Sequence, residues 1–350
     1  MKNHLRLFVA ACFYYSGLVK LARLAARYSG PRLIILNYHR ADGVNLRGQF
    51  RYLRDHYRVM HMEEALAELF MLHEPKRGGK RRTPLVITFD DGYRDSYTHG
   101  LALAREMQVP ITIFLIPGYI ESGDHFWWHE GKNLLENAQV EEVEIEGHRY
   151  HLRQPDDRKA LEQAIDTRAR YATSVAERET FLAAVRQALA IPAPRPVYED
   201  GAMPLTWLEV LEMEQSGWVT FGAHTMHHPV LGYLADVAEV QREVTECRRV
   251  LEERLGHPVQ LFAYPMGKPE HIGGDGLQAV RDAGYRWAFT TIPEKNTPQT
   301  DPYLLRRRPG SRDLHWLELA CLLAGLLGMR TRLRQALGKW AASKGTARRK

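Results

Sequence analysis

Short apolar runs alternate with amphipathic stretches along most of this chain. Leu33 to Tyr38, Leu85 to Phe89, Ile111 to Ile116, Val219 to Ala223, Val259 to Ala263 and Trp287 to Thr291 read as buried strands. Glu63 to Leu72, Asp95 to Met107 and Val240 to Leu255 read as helices, the last with Glu and Arg on its wet face. Strands alternating with helices predict a parallel α/β sheet or barrel of six or seven strands. Residues 121–205 break the alternation. They open with Phe126-Trp127-Trp128-His129-Glu130, read as a hairpin from Val143 to Tyr150, and continue as charged helices from Pro155 to Leu189. The Pro-rich stretch Ile191 to Pro196 closes them as a stiff linker. The expectation is an insertion over the mouth of the barrel. Trp127 and Trp128 would either stack on sugar rings there or anchor the insertion to the core.

The two ends follow another pattern. Leu7 to Val19 is an apolar run bounded by Arg6 and Lys20, too short for the ~20 residues of a comfortable membrane span. The basic stretch after it offers no small-residue cleavage site. Leu5 to Arg27 therefore reads as one amphipathic helix lying in an interface, against the alternative of a helix packed on the barrel with Tyr14 and Tyr15 in the core. Leu317 to Met329 repeats the theme before a basic tail containing Trp340. This divides the chain into an amphipathic helix at 1–30, a barrel at 31–310 and a basic amphipathic tail at 311–350.

Charge sharpens this division. The net charge is +6, yet residues 1–40 carry seven Lys or Arg and no acid, and residues 330–350 carry eight and no acid. The body between is net acidic, which argues against a nucleic-acid surface. Basic, apolar ends fit an anionic membrane surface better. Without a clear export signal, the expected location is membrane-associated on the cytoplasmic side. Composition is otherwise that of a soluble protein, and the three cysteines (Cys12, Cys247 and Cys321) lack metal or disulfide-framework spacing.

Two clusters carry chemistry. Thr88-Phe89-Asp90-Asp91-Gly92 follows an apolar run, placing adjacent carboxylates at a strand's C-terminal end, where α/β folds build their active sites. One carboxylate can hold a metal while the other acts as a base. His224-Thr225-Met226-His227-His228 follows a second run. His224 and His228, four apart, would face the same way on one helical turn, with His227 the competing partner. Together with Asp91 they form a two-histidine, one-carboxylate set suited to Zn, Co, Ni or Fe.

Thr88 to Gly92 and His224 to Pro229 resemble the first two motifs of the polysaccharide deacetylase (NodB-homology) family. Phe262 to Gly267 resembles the third and Gly284 to Trp287 the fourth, in the same order over residues 33 to about 310. The resemblance implies a distorted (β/α) barrel, one divalent metal (zinc first) and removal of N-acetyl groups from a glycan, which the basic ends suggest is attached to a lipid carrier. It implies Asp91, His224 and His228 as metal ligands, Asp90 as the base and the Met266 N–H as an oxyanion donor. Tyr264 and Trp287 in the third and fourth motifs are the expected substrate contacts, Trp287 either walling the acetyl pocket or serving a purely structural role, and Trp127 of the insertion is the expected sugar contact. An O-acetyl or xylan esterase on the same site, and a carbohydrate-binding barrel without catalysis, are the competing readings. Two family features are missing. Ala263 stands where an arginine supports the base, and no histidine acid precedes His315 near the last strand. That leaves the proton donor unassigned; His39, at the end of the first strand, is the candidate acid, against a role in ligand support or substrate contact.

Overall fold

The computed structural model describes residues 2–28, 30, 32–71, 82–192 and 200–327. The basic tail 330–350 and most of the Pro-rich linker lie outside them. Two helices come first, α1 (Lys2–Tyr15) and α2 (Leu18–Arg27). The single amphipathic helix expected at Leu5 to Arg27 is thus broken: the pair bends by 66°. The break is at Ser16-Gly17, and Gly17 adopts φ 82°, a conformation that glycine takes without steric cost. Strand β1 (Ile34–Tyr38), α3 (Leu46–His56), β2 (Arg58–Val59), α4 (Met62–Met71) and β3 (Pro84–Phe89) follow. A π-helical turn at Ser96–Leu101 leads into α5 (Ala102–Met107), then β4 (Ile111–Leu115).

The insertion comprises α6 (Pro117–Ser122), α7 (Trp127–Glu136), the hairpin β5 (Glu142–Ile145) and β6 (His148–His151), α8 (Pro155–Arg170) and α9 (Val175–Ala188). It packs its own core of Tyr119, Phe126, Trp127, Leu134, Leu161, Ile165 and Leu182 against Tyr93 and Ile116 of the barrel. The chain returns through α10 (Trp207–Gln215), β7 (Val219–Ala223), α11 (Val237–Leu255), β8 (Leu261–Ala263), α12 (Pro269–Asp282), β9 (Trp287–Phe289), β10 (Arg308–Pro309) and α13 (Trp316–Leu323).

The strands form one parallel, curled sheet in the order β10-β1-β3-β4-β7-β8-β9, with β2 beside β3. This is a distorted (β/α) barrel. Strand β4 pairs directly with β7, so residues 121–205 interrupt the sequence without interrupting the sheet. Both faces of each long strand are buried, which explains the near-continuous apolar runs. Ile35, Val86, Phe114, Leu261 and Phe289 fill the interior with Met62, Leu66 and Leu69 of α4. Leu36, Leu85, Ile87 and Phe89 face the outer helices. Strands β2 and β10 went unread in the sequence; each is two residues long, too short for a periodic signal. Helix α13 packs on α1, with Tyr14 edge-on to Trp316. Tyr14 is thus half-buried, whereas Tyr15 is exposed.

Candidate metal centre

Strand β3 ends where Asp90 begins a tight turn. Asp91 and Gly92 both take left-handed backbone, with φ 75° and 72°. Asp tolerates this conformation better than most residues, and a Cβ on Gly92 would sit 2.9 Å from Leu115 Cδ2. The reversal sends the two buried carboxylates to different partners.

Asp90 turns to Arg307. The guanidinium is fully buried and donates twice, Nη1 to Oδ1 at 2.6 Å and Nη2 to Oδ2 at 2.9 Å. It also donates to the Thr290 carbonyl at 3.1 Å and to Thr88 Oγ1 at 3.3 Å. Burial works against a charge on Asp90, but Arg307, with His224 and His39 nearby, holds its carboxyl below the ordinary range. The support missing at Ala263 is therefore supplied by Arg307, the residue immediately before β10.

Asp91 turns to the histidine loop. Its Oδ1 lies 3.4 Å from His224 Nε2 and 3.6 Å from His228 Nε2. One ligand atom from each of the three residues lies within 4.8 Å of the others, and all three residues are buried. Asp91 Oδ1 has no hydrogen-bond partner among the described residues, although it is shielded from solvent. A buried carboxylate oxygen left this way, facing two imidazole nitrogens, fits a divalent cation. The donor set of one oxygen and two nitrogens is one that Zn accepts.

The surroundings orient these ligands. His224 Nδ1 donates to the Ala263 carbonyl at 2.7 Å, which points Nε2 into the site. Burial opposes a charge on His224, but Asp91 and Asp90 hold its pKa above the ordinary value. Burial also works against the Asp91 charge, yet the neighbouring histidines hold that carboxyl low. A proton on His224 Nε2 would face Asp91 where a cation would sit, and metal binding would displace it. His228 differs. Burial, then the charge of His224, pushes it down to about 3, so its ring stays neutral. Its Nδ1 has no partner among the described residues, and packing holds the ring instead, with the Trp128 ring 4.5 Å away.

The helical turn expected for His224 and His228 does not form. Thr225 and His228 have φ of 63° and 53°, so the segment is a loop that brings the two imidazoles together by another route. Thr225 Oγ1 accepts from the His228 N–H at 3.0 Å. His227 is drawn off to α11, where Glu243 accepts from its N–H at 2.8 Å and pairs with its Nδ1 at 2.7 Å. The insertion clamps the same loop. Trp127 Nε1 donates to the His228 carbonyl at 3.0 Å and Arg178 to the His227 carbonyl at 3.1 Å. Gly118 allows the close approach; a Cβ there would lie 2.4 Å from the Met226 carbonyl.

The other expected residues divide. His39 is exposed just beyond β1 and lies close enough to both aspartates to depress their pKa values. Met266 has φ 59° in a turn locked by Thr291, whose hydroxyl donates to the Met266 carbonyl at 2.8 Å. Its N–H has no acceptor among the described residues. Tyr264 does not reach the site: it is buried toward the outer helices and donates to the Tyr303 carbonyl at 3.1 Å. Trp287 does not either. It opens β9 rather than ending it, and is buried in the interior cluster with Leu261 and Phe289. Trp127 is buried behind the histidine loop, and the half-buried Trp128 is the tryptophan beside a ligand. Trp128 Nε1 donates to Tyr93 Oη at 2.7 Å, and Tyr93 Oη meets His129 Nε2 at 2.8 Å.

A family model described as polysaccharide deacetylase matches residues 77–178 and 184–288. Among curated proteins none matches significantly by sequence. Among solved structures, the Streptococcus pyogenes deacetylase PplD in complex with acetate is similar at 17% identity and TM-score 0.54, covering 83% of this chain and 97% of that one. IcaB from Ammonifex degensii is similar at 20% identity and TM-score 0.53, with the same coverage. The BpsB deacetylase domain from Bordetella bronchiseptica follows at 15% identity and TM-score 0.50, covering 81% and 97%. At these identities the likeness is one of fold.

Proposed function

Because the chain belongs to the polysaccharide deacetylase family, we propose that it is a metal-dependent enzyme removing N-acetyl groups from an N-acetylated polysaccharide or lipid-linked glycan. The observation that carries this reading is the meeting of Asp91, His224 and His228 beside an Asp90 held ionised by Arg307.

Asp91, His224 and His228 would hold the cation, with zinc the first choice and cobalt, nickel or iron also suited to the ligand set. A divalent metal there would acidify a water and polarise the acetyl oxygen. Asp90 would take a proton from the attacking water as general base. Both its oxygens already accept from Arg307, and each retains a lone pair for a further bond. Its low pKa keeps it ionised at neutral pH. The Met266 N–H stabilises the negative charge that develops on the acetyl oxygen. His39, solvent-exposed beside the aspartates, returns a proton to the leaving amine. An O-acetyl ester could be cleaved by the same groups, with less need of the acid because an alkoxide leaves more readily than an amide anion.

The test is mass spectrometry of N-acetylglucosamine oligomers and of an O-acetylated xylan after incubation with zinc-loaded and chelator-treated protein. Loss of acetyl mass from the N-acetyl oligomers, abolished by chelation and restored by zinc, is expected. Loss from the xylan alone would establish the esterase reading. Metal binding with turnover of neither would leave a carbohydrate-binding barrel.

A further inference from the structure

The insertion forms a pocket of its own, and none of the three metal ligands lines it. Its volume is about 270 Å³. That is just below the ~300–1,000 Å³ of pockets for drug-sized ligands, and enough for a single ring. Helix α9 turns Arg178, Glu179, Leu182 and Arg186 to it, at the spacing of one helical face. Tyr119 of α6, Trp127 of α7 and His227 complete the wall.

The lining holds donors that the fold does not use. Arg178 is almost fully buried. Its Nε donates to Glu179 at 3.0 Å and its Nη2 to the His227 carbonyl at 3.1 Å, which leaves Nη1 without an acceptor among the described residues. Arg186 donates to Glu130 from Nε at 2.9 Å and from Nη2 at 2.7 Å, again leaving Nη1 over. Tyr119 Oη accepts from the Trp127 N–H at 3.3 Å, and its own hydrogen meets no acceptor among the described residues. A donor buried without an acceptor is costly, so a ligand oxygen placed beside it is favoured.

Charge narrows the choice of ligand. Arg178 and Arg186 share the lining with Asp124 and Glu179, and Glu130 pairs with Arg186. The lining therefore has no surplus charge with which to select an ion. Open donors among balanced charges suit an uncharged ligand rich in oxygen, and the Tyr119 and Trp127 rings add apolar surface. A sugar ring combines the two, with oxygens around its edge and C–H groups on its faces.

We propose that this pocket binds an uncharged sugar residue of the glycan, separate from the residue that loses its acetyl group. The proposal takes the identity of the polymer from the deacetylase reading, while the pocket itself requires no metal. Arg178 and Trp127 also hold the His227 and His228 carbonyls, so the residues that steady the metal loop would grip the polymer as well. A chain long enough to occupy pocket and metal centre together gains the second contact intramolecularly. Long glycans should therefore be preferred to short ones.

Calorimetric titration of chelator-treated, full-length protein with a hexamer of N-acetylglucosamine tests the pocket without turnover. Ser122→Trp is the blocking variant: Ser122 is exposed at the pocket, and an indole there would occupy it. Wild type should bind the hexamer, and Ser122→Trp should weaken that binding roughly tenfold, as for the loss of a hydrogen-bonded contact. Glu179→Ala, at the half-exposed edge, should weaken it less. In the zinc-loaded enzyme, Ser122→Trp should raise KM for the hexamer by a similar factor and KM for the dimer much less. Equal hexamer binding by wild type and both variants would overturn the proposal. So would tighter binding of a galacturonate hexamer, which would assign the pocket to an anion. Equal damage to dimer and hexamer turnover in Ser122→Trp would also overturn it, by tracing the effect to the metal loop. Should the zinc-loaded protein deacetylate neither glycan, the deacetylase reading fails and the titration alone decides the pocket.

Discussion

Arg307 and Arg308 are neighbours in sequence and opposites in environment. Arg307 points into the barrel and spends its guanidinium on Asp90, Thr88 and the Thr290 carbonyl. Arg308 points outward into a pocket lined by three more cations and no acid. The first guanidinium is neutralised within the fold by Asp90, whereas the second lines a pocket beside Arg23, Arg32 and Lys295. Adjacent residues turned to opposite sides produce this contrast. The charge sealed inside tunes a carboxylate.

The comparison breaks first at the sealed centre. Asp91→Ala, His224→Ala or His228→Ala should each abolish metal binding and turnover, measured by elemental analysis and acetate release. His227→Ala should keep the metal, because that ring is paired with Glu243 rather than Asp91. An empty site in His227→Ala with a full one in His228→Ala would reverse the ligand assignment.

Asp90→Asn comes next. The metal should remain, since Asp91 and the two histidines are untouched, while kcat falls by about 10²–10⁴, the range for losing a general base. Near-normal turnover by the metal-loaded variant would exclude Asp90 from that role.

Arg307→Met then asks what the sealed guanidinium contributes. Removing one partner of a buried pair leaves Asp90 buried and uncompensated, a loss of about 3–5 kcal/mol in stability. Burial raises the Asp90 pKa and Arg307 is the largest influence lowering it. Without Arg307 the pKa rises, and a base that must be ionised fails at higher pH. The acid limb of the kcat/KM profile should therefore move upward in pH. An unmoved limb in a folded variant would mean that Arg307 holds Asp90 in place without tuning it.

The same contrast marks what the sequence could and could not reveal. The apolar runs located the six main strands, and Asp-Asp-Gly with the histidine cluster located the residues that converge. Arg307 escaped because its partner lies 217 residues away and β10 is too short to announce itself. Spacing of four suggested a helix for His224 and His228, yet left-handed backbone at Thr225 and His228 achieves the convergence in a loop. Tyr264 and Trp287 were placed at the substrate by likeness to motifs. Their side chains are buried because Tyr264, next to inward-facing Ala263, turns to the outer helices, and Trp287 begins its strand. Trp128 went unassigned as a ligand support because only the folded insertion shows which of two adjacent tryptophans faces the metal loop.

The smallest expected effect sharpens the comparison most. A guanidinium that stabilises the fold through paired contacts lowers the melting temperature when removed. One that stands among like charges does not. Arg23 lines one pocket with Arg32, Lys295 and Arg308, and its Nε has no acceptor among the described residues. Arg23→Gln should therefore change stability by no more than about 0.5 kcal/mol, with the sign toward stabilisation because repulsion is relieved. Added salt should shrink even that difference, since partly exposed charges are screened. Thermal unfolding of wild type, Arg23→Gln and Arg307→Met at two ionic strengths provides the measurement. A melting-temperature loss in Arg23→Gln comparable to that in Arg307→Met would show that the outer arginines are structural and already neutralised.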